Sequence, residues 1–325
     1  MTETPPDPRF GLTVSSEEHP PRRMVDVACL AEDAGFDFIS VSDHYHPWVS
    51  AQGHSPFLWS VLGAISAATT EIEVGVGVTC PIMRIHPAIL AQAVATTALL
   101  FDGRLVWGVG TGEALNEHIL GDRWPPHPIR VEMLEEAVGI IRRLWAEESV
   151  THYGSHYTVE DARILDKPSG GTVPIIASAF GEHAAELAAS IGDGLWITGP
   201  AADQIEIYRE AGGDGPVYSQ ITLCWGPDRE KAMETAHELW AFSSLPGQLG
   251  QDLPTILHFE QAVQSISPED VAKKTPCGPD PEPVLEAARE ALEAGVDHLY
   301  FHQIGDDQEG FVEFWSSEIQ PALTG

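Results

Sequence analysis

The sequence predicts an α/β protein folded as a (β/α)8 barrel, the TIM barrel, with insertions after some strands. Eight short apolar runs recur along the 325 residues, and segments with helical spacing of apolar residues lie between them. The runs are nearly continuously apolar instead of alternating, which is typical of parallel strands covered by helices on both faces. The length suits one barrel domain of about 250 residues plus insertions.

The predicted strands occupy residues 10–15, 36–43, 72–80, 104–111, 173–180, 194–198, 217–225 and 298–304. Apolar residues at helical spacing follow the first strand, at Met24, Val27, Ala28 and Ala31. Because no Ser/Gly-rich or repetitive tract interrupts the alternation, we expect a single domain over residues 1–325. A helical insertion is expected at about 226–280, where apolar residues either pack on the barrel or form a lid over its mouth.

The charge balance is the extreme property of the composition. There are 17 Lys and Arg against 49 Asp and Glu, which gives a formal net charge of −32. Such a surface repels nucleic acid and anionic lipid, so neither is an expected partner. Two explanations stay open: solubility alone, or a halophilic adaptation in which salt screens the self-repulsion.

The sequence shows no recognisable targeting signal and no disulfide pattern, and we therefore expect a cytoplasmic protein. Residues 1–8 lack the basic and apolar regions of a signal peptide, and the most apolar stretch, 88–101, is too short and too polar to span a bilayer. Four scattered cysteines form no CxxC pair, so neither a zinc ribbon nor a disulfide framework is indicated. We expect no membrane contact.

Polar side chains cluster after the second predicted strand, where residues 42–48 read Ser-Asp-His-Tyr-His-Pro-Trp. Strand alternation would place His44 and His46 on one side and Asp43 and Tyr45 on the other. A His-x-His pair suits metal-dependent hydrolysis, but the fifth and sixth strands end without the further His ligands, so no metal site is expected. A His at a strand end beside an acid and an aromatic suits proton transfer near neutral pH.

A glycine-rich segment ends the fourth predicted strand, where residues 110–117 read Gly-Thr-Gly-Glu-Ala-Leu-Asn-Glu. Glycines let a backbone come close to a flat or phosphorylated group. Small residues also end the third strand and form the turn at 178–181, which could present amides to a phosphate. Since barrel strands end at one mouth, these segments predict a site for a flat-ring cofactor, with His44 and Glu113 as proton carriers.

Together, the segments 42–48 and 110–117 resemble the luciferase-like superfamily, and within it the branch that uses coenzyme F420, an 8-hydroxy-5-deazaflavin. The chain is similar to F420-dependent glucose-6-phosphate dehydrogenases and F420-dependent secondary alcohol dehydrogenases from Phe10 to Leu323. The resemblance implies an oxidoreductase that transfers a hydride between a hydroxyl or carbonyl substrate and the deazaflavin. It also implies a homodimer.

The resemblance assigns roles to individual residues. The residue matching His44 takes the proton of the substrate hydroxyl, and the one matching Glu113 protonates the reduced ring. The residue matching Trp48 stabilises the developing charge, and Glu17 falls where the family has a functional acid near the substrate. A cis peptide bond is implied between Gly77 and Val78. The residues implied in cofactor binding are Asp43, His44, Gly77, Val78, Thr111, Gly112, Glu113, Asn116, Ser178, Ala179, Phe180 and Gly181.

One departure from the glucose-6-phosphate enzymes bears on the substrate. Those enzymes clamp the phosphate with a Lys after the sixth strand and with Lys and Arg in the late insertion. Here residues 198–201 read Thr-Gly-Pro-Ala, and no Lys or Arg occurs between Lys231 and Lys273. A buried phosphate without cations is disfavoured, so we expect a neutral alcohol or sugar. A sugar-6-phosphate dehydrogenase and an FMN-dependent monooxygenase remain the alternatives.

Overall fold

The computed structural model describes residues 7–199 and 201–324. The strands are β1 (Arg9–Val14), β2 (Phe38–Val41), β3 (Glu73–Thr79), β4 (Leu105–Val109), β5 (Val150–Tyr153), β6 (Thr158–Ala162), β7 (Ile175–Ser178), β8 (Gly194–Thr198), β9 (Val217–Leu223) and β10 (His298–Gln303). Eight of them close a parallel barrel in the order β1-β10-β9-β8-β7-β4-β3-β2. The predicted barrel is confirmed. The first six residues, on which the signal-peptide expectation largely depends, lie outside the described part of the chain.

Each of the eight apolar runs overlaps one barrel strand, and burial explains why the runs do not alternate. All residues of β2 and of β4 are buried. One face of each strand packs toward the barrel interior and the other toward the helices, so both faces exclude polar side chains. The strands stop short of the polar ends of the runs, because residues such as Asp43 and Thr111 have already left the sheet.

Helices cover the barrel and extend between its strands. The first, α1, buries the four predicted residues Met24, Val27, Ala28 and Ala31. The helices are α1 (Pro21–Asp33), α2 (Leu58–Ala68), α3 (Pro87–Phe101), α4 (Ala114–Glu117), α5 (His127–Ala146), α6 (Glu182–Ile191), α7 (Ala202–Glu210), α8 (Arg229–Trp240), α9 (Leu249–Asp252), α10 (Ile256–Ala262), α11 (Pro268–Ala272), α12 (Glu282–Glu293), α13 (Gln308–Phe314) and α14 (Gln320–Thr324). Within the described residues, no helix is both long and apolar enough to cross a membrane.

The helices α8 to α11 fall between β9 and α12, inside the segment 226–280. Asp228 starts this segment by capping α8, since its carboxylate accepts hydrogen bonds from the backbone amides of Glu230 and Lys231. The assignment of residues 1–325 to a single domain stays a prediction.

The antiparallel pair of β5 and β6 lies outside the barrel and was not predicted. Both strands are short and largely exposed, so they carry no apolar run. The carboxylate of Glu136 fixes the turn between them by accepting hydrogen bonds from the backbone amides of His156 and Tyr157, at 3.0 and 2.9 Å.

Aromatic rings fill the barrel interior beneath the mouth. Trp196 stacks on Tyr218 with ring centroids 4.7 Å apart, and its indole N–H donates to the Tyr300 hydroxyl at 2.6 Å. A Cβ atom at Gly77 would lie only 2.5 Å from the Trp196 ring, so glycine is required for this close approach. The peptide bond between Gly77 and Val78 is cis, which confirms that prediction.

Candidate active site

A cavity of about 590 Å³ lies among the segments that follow the C-terminal ends of the barrel strands. The segments 43–44 and 110–117 meet there, although they are far apart in the sequence. Ala179 is buried and is absent from the lining residues. The other residues proposed for cofactor binding all line the cavity: Asp43, His44, Gly77, Val78, Thr111, Gly112, Glu113, Asn116, Ser178, Phe180 and Gly181.

The segment after β2 does not continue the alternation of a strand. Asp43 and His44 both line the cavity, so the expectation that they face opposite sides is wrong. The reason is that β2 ends at Val41 and the following residues leave the sheet. Within the described residues, no group of three His, Cys, Asp or Glu side chains is arranged to hold a metal ion.

The imidazole of His44 lies between two carboxyl groups. Its Nε2 atom is 3.3 Å from Oε1 of Glu17 and 3.8 Å from Oε2 of Glu113. Its Nδ1 atom is 3.2 Å from the carbonyl oxygen of His46 and 3.1 Å from the amide nitrogen of Asn116. Both ring nitrogens therefore have polar neighbours, and Nε2 points to the pair of acids.

Asn116 links α4 to the segment that carries His44. Its side-chain oxygen accepts hydrogen bonds from the backbone amides of Tyr45 at 2.8 Å and His46 at 3.1 Å. These two bonds fix the orientation of the side-chain amide, so its nitrogen faces His44 and Glu113. The glycine-rich segment and the segment that carries His44 are thereby held in a fixed position relative to each other.

The two acids beside His44 have opposite protonation preferences. Burial alone would raise the pKa of Glu17, but His44 and the hydroxyl groups of Ser42 and Ser15 outweigh it and lower the pKa. Burial raises the pKa of Glu113 well above its usual range, and the nearby Glu17 and Glu117 carboxylates raise it further. The pKa values of the two acids are therefore shifted in opposite directions, and Glu113 keeps its proton to higher pH than Glu17 does.

Arg84 forms a buried ion-pair cluster that the sequence analysis missed. Its guanidinium donates to Oδ1 of Asp43 at 2.8 Å, and its backbone amide donates to Oε2 of Glu117 at 2.8 Å. Burial raises the pKa of Glu117 to about 7 even though Arg84 opposes the shift. No short-range pattern links Arg84 with Asp43, which lies 41 positions away.

The other carboxylate oxygen of Asp43, Oδ2, is buried and has no hydrogen-bond partner among the described residues. Asp43 lines the cavity, so Oδ2 is an acceptor available to a bound molecule. A Cβ atom at Gly110 would lie 2.7 Å from Oγ of Ser178 and 3.0 Å from Val78, so glycine lets these two cavity-lining side chains approach the backbone closely. The free acceptor and the glycine surface fit a planar heterocycle that carries an N–H or O–H donor.

Trp48 lies beside His44, although it is absent from the cavity lining. The centroids of the two rings are 5.1 Å apart. The other neighbours of Trp48 belong to the segment 226–280, since its ring stacks on Phe242 at 4.6 Å and meets Phe259 edge-on at 5.1 Å. These two contacts fix the indole next to the imidazole, and the sequence analysis had not identified either residue individually as a partner of Trp48.

Comparison with known proteins identifies a matching family and similar enzymes. The luciferase-like monooxygenase profile matches residues 7–298. The chain is 36% identical over 330 residues to an F420-dependent glucose-6-phosphate dehydrogenase of Microbacterium testaceum, with 97% of each chain covered. It is 34% identical over 330 residues to the enzyme of the same name from Segniliparus rotundus, with 97% of this chain and 98% of the relative covered.

A solved structure of an F420-dependent secondary alcohol dehydrogenase in complex with an F420-acetone adduct has the same fold. Its TM-score is 0.90 at 30% sequence identity, over 98% of this chain and 100% of the other. The extent of these matches, together with the shared barrel, places the protein in a family: the chain belongs to the luciferase-like monooxygenases.

Proposed function

We propose that the protein is a coenzyme F420-dependent oxidoreductase that transfers a hydride between the deazaflavin and the carbinol carbon of a neutral alcohol or sugar. The observation that carries the proposal is the position of His44, with Nε2 between Glu17 and Glu113 at the cavity. Identity of 36% to an F420-dependent dehydrogenase over nearly the whole chain supports the choice of cofactor.

Several residues would hold the cofactor. When bound, F420 supplies a ring that accepts a hydride. Asp43 would accept a hydrogen bond from it through Oδ2, and Gly77 with Val78 would face the ring. Thr111 and Gly112 would border it. The turn at residues 178–181 would present backbone amides to the phosphate, so Ala179 would contribute through its backbone.

His44 would act as the base in alcohol oxidation. In the tautomer that leaves Nε2 free, Nδ1–H donates to the His46 carbonyl at 3.2 Å, and the Asn116 amide then donates to Oε2 of Glu113 at 3.4 Å instead of to Nδ1. His44 then takes the hydroxyl proton at Nε2, and the resulting N–H faces the Glu17 carboxylate, 3.3 Å away. Trp48, whose ring centroid lies 5.1 Å from that of His44, would stabilise the imidazolium, and the protonated Glu113 would supply the proton that the cofactor takes up with the hydride.

The charge of the cavity favours a neutral substrate over a sugar-6-phosphate. Within the described residues, neither Lys nor Arg lines the cavity. Lys273 is 71% exposed and pairs with Asp270 at 2.6 Å. A comparison of kcat/KM for 2-propanol and glucose-6-phosphate tests this point. We expect the neutral alcohol to be preferred, and a tenfold preference for the sugar phosphate would contradict the proposal.

An FMN-dependent monooxygenase is the alternative in another class. The two functions are distinguished by incubating the protein with oxidised F420 and 2-propanol, and in parallel with reduced FMN, dioxygen and a ketone. We expect bleaching of the oxidised deazaflavin absorbance in the first mixture and no oxygenated product in the second. The reverse pattern would favour the monooxygenase.

We also propose a homodimer that works in a salt-rich cytoplasm. Symmetric dimers are the commonest assembly of soluble proteins. The net charge of −32 suits a medium in which salt screens repulsion, and the four cysteines are free thiols, as in reducing compartments. Light scattering coupled to gel filtration tests the assembly, and a monomeric mass in concentrated KCl would contradict it.

A further inference from the structure

We propose that Ser42 is a positioning residue for proton transfer: its hydroxyl, with those of Ser15 and Ser16, holds the Glu17 carboxylate against His44. The inference rests on the proposed function, in which His44 is the base. It explains how a buried carboxylate stays ionised at the place where a positive charge develops.

Three hydroxyl groups converge on one oxygen of Glu17. Oε2 accepts hydrogen bonds from Ser42 at 2.6 Å, from Ser15 at 2.9 Å and from Ser16 at 3.3 Å. The other oxygen, Oε1, is left to face Nε2 of His44 at 3.3 Å. The two oxygens therefore have separate tasks, because one is held by hydroxyl groups and the other is directed at the imidazole.

The direction of the Ser42 hydroxyl is itself fixed. Its oxygen accepts a hydrogen bond from the backbone amide of Ser16 at 2.9 Å. This leaves its proton for Glu17, to which the distance of 2.6 Å is short, as expected of a hydroxyl donating to a charged oxygen. Ser42 thus ties the segment after β1 to the segment after β2, two positions before His44.

The surroundings of Glu17 contain both signs of charge. His44 favours its ionised form, and the Glu113 carboxyl lies 3.8 Å from the same imidazole nitrogen. Glu18, the next residue, is directed elsewhere, since its Oε1 is 2.7 Å from Nε2 of His302. The hydroxyl groups are therefore the neutral donors that offset the burial of Glu17.

The sign of the pH dependence follows. The pKa of Glu17 is lowered in the folded protein, so its negative charge is present above that pKa and is lost as the pH falls through it. Removing a donor to the ionised form raises the pKa. A protonated Glu17 no longer stabilises the His44 imidazolium, so proton transfer to His44 loses this support as Glu17 takes up its proton.

The test compares Ser42→Ala with Ser42→Thr, which keeps the hydroxyl. Ser40→Ala is the matched control, since Ser40 is a buried serine of β2, two positions before Ser42, that bonds to Tyr300 and not to Glu17. The carboxyl of Glu17 is titrated in the cofactor-free protein by ¹³C NMR on glutamate-labelled samples and assigned with Glu17→Gln. Thermal melts confirm that each variant is folded.

In Ser42→Ala we expect the pKa of Glu17 to rise by about one pH unit, the size of one hydrogen bond to a charged group. Ser42→Thr restores the wild-type titration of Glu17, and Ser40→Ala leaves it unchanged. An unmoved Glu17 titration in Ser42→Ala, or an equal movement in Ser40→Ala, would overturn the inference.

The titration separates this inference from the proposed function. One outcome is that the wild-type protein transfers no hydride to F420 while the Glu17 titration responds to Ser42→Ala. The proposed function and the role of Ser42 in proton transfer then both fail, and only the effect of Ser42 on the pKa of Glu17 remains. If wild-type turnover is normal and the Glu17 titration does not respond, only the present inference fails.

Discussion

Two carboxyl groups with different protonation flank the ring of His44, and this contrast organises the chemistry at the residue scale. Glu17 is fully enclosed and receives hydroxyl donors, so its pKa falls. Glu113 lies in the cavity wall with fewer donors and with two carboxylates nearby, so its pKa rises. The site therefore combines three functions within 4 Å of one atom, Nε2 of His44. His44 is the base, Glu17 is the anion that stabilises its charged form, and Glu113 is the proton donor.

The first prediction concerns the base. His44→Ala should lower kcat for alcohol oxidation by about 10²-fold or more, because no other group at the same position accepts the hydroxyl proton. Binding of F420, followed by the quenching of its fluorescence, should change little. Turnover like that of the wild type would remove His44 from the mechanism.

The second prediction concerns the acid. Since the pKa of Glu113 is raised, its proton is kept to higher pH than that of an ordinary glutamic acid and is lost as the pH rises through the shifted value. Activity that needs this proton should therefore decline on the alkaline side. Glu113→Gln should lower kcat by about 10²-fold and abolish that decline in the pH profile of kcat. An alkaline limb that persists in Glu113→Gln would assign it to another group.

The sequence analysis identified most of these side chains but not the residues that hold them in place. His44 and Glu113 stand in motifs with polar residues at strand ends, which is a local signal. Arg84 has no such signal, because its role depends on Asp43 and Glu117, which the chain brings to it from 41 and 33 positions away. Ionic clusters of this kind can be identified from the folded structure but not from the spacing of residues in the sequence.

At the scale of elements, the insertion and the catalytic strand ends are one packed unit. Phe242 follows α8, and Phe259 lies in α10. Both contact Trp48, so the insertion determines where the indole lies relative to His44. The apolar composition of residues 226–280 was visible in the sequence, but the partner of each ring was not, since such contacts follow from tertiary packing.

The third prediction tests this coupling. Phe242→Ala removes a buried ring that stacks on Trp48, and it should reduce the free energy of unfolding by about 3 kcal/mol. It should also raise KM for the alcohol more than it raises the Kd for F420, because the insertion lies on the Trp48 side of His44. Leu257→Ala is the control, since that side chain is 59% exposed. Equal effects of the two variants on KM would contradict the coupling.

The strand assignments depended on burial, and this explains both their success and their one omission. Strands buried on both faces produce apolar runs, and every barrel strand was found in this way. The pair β5–β6 is largely exposed, and the carboxylate of Glu136 holds its turn. Its residues therefore form no apolar run that could predict a strand. The predicted second strand extended beyond the C-terminal end of β2, because the polar residues that follow β2 remain close to the barrel mouth.

At the scale of the whole molecule, the net charge of −32 is the property that the barrel alone does not explain. Like charges on one surface repel, and salt screens exposed charges over distances that shorten from about 10 Å at 0.1 M to about 3 Å at 1 M. The folded state concentrates these charges and therefore gains more from screening than the expanded chain does.

The fourth prediction follows from this repulsion. The melting temperature should rise as KCl is increased from dilute buffer to molar concentration, and it should rise more than for a homologue with near-zero net charge. Differential scanning fluorimetry measures the effect, with a neutral osmolyte as the control for changes in water activity. Full stability in dilute buffer, without further gain in salt, would leave solubility as the explanation of the acidic surface.

The measurement that tests the central claim most directly follows the hydride itself. The protein is mixed with oxidised F420 and 2-propanol that carries deuterium at the carbinol carbon, and the reduced cofactor is analysed by mass spectrometry. We predict that one deuterium is transferred from the alcohol to F420, that acetone forms in equal amount, and that His44→Ala slows the transfer. Reduced F420 without the label, or no reduction while the cofactor is bound, would contradict hydride transfer at this site.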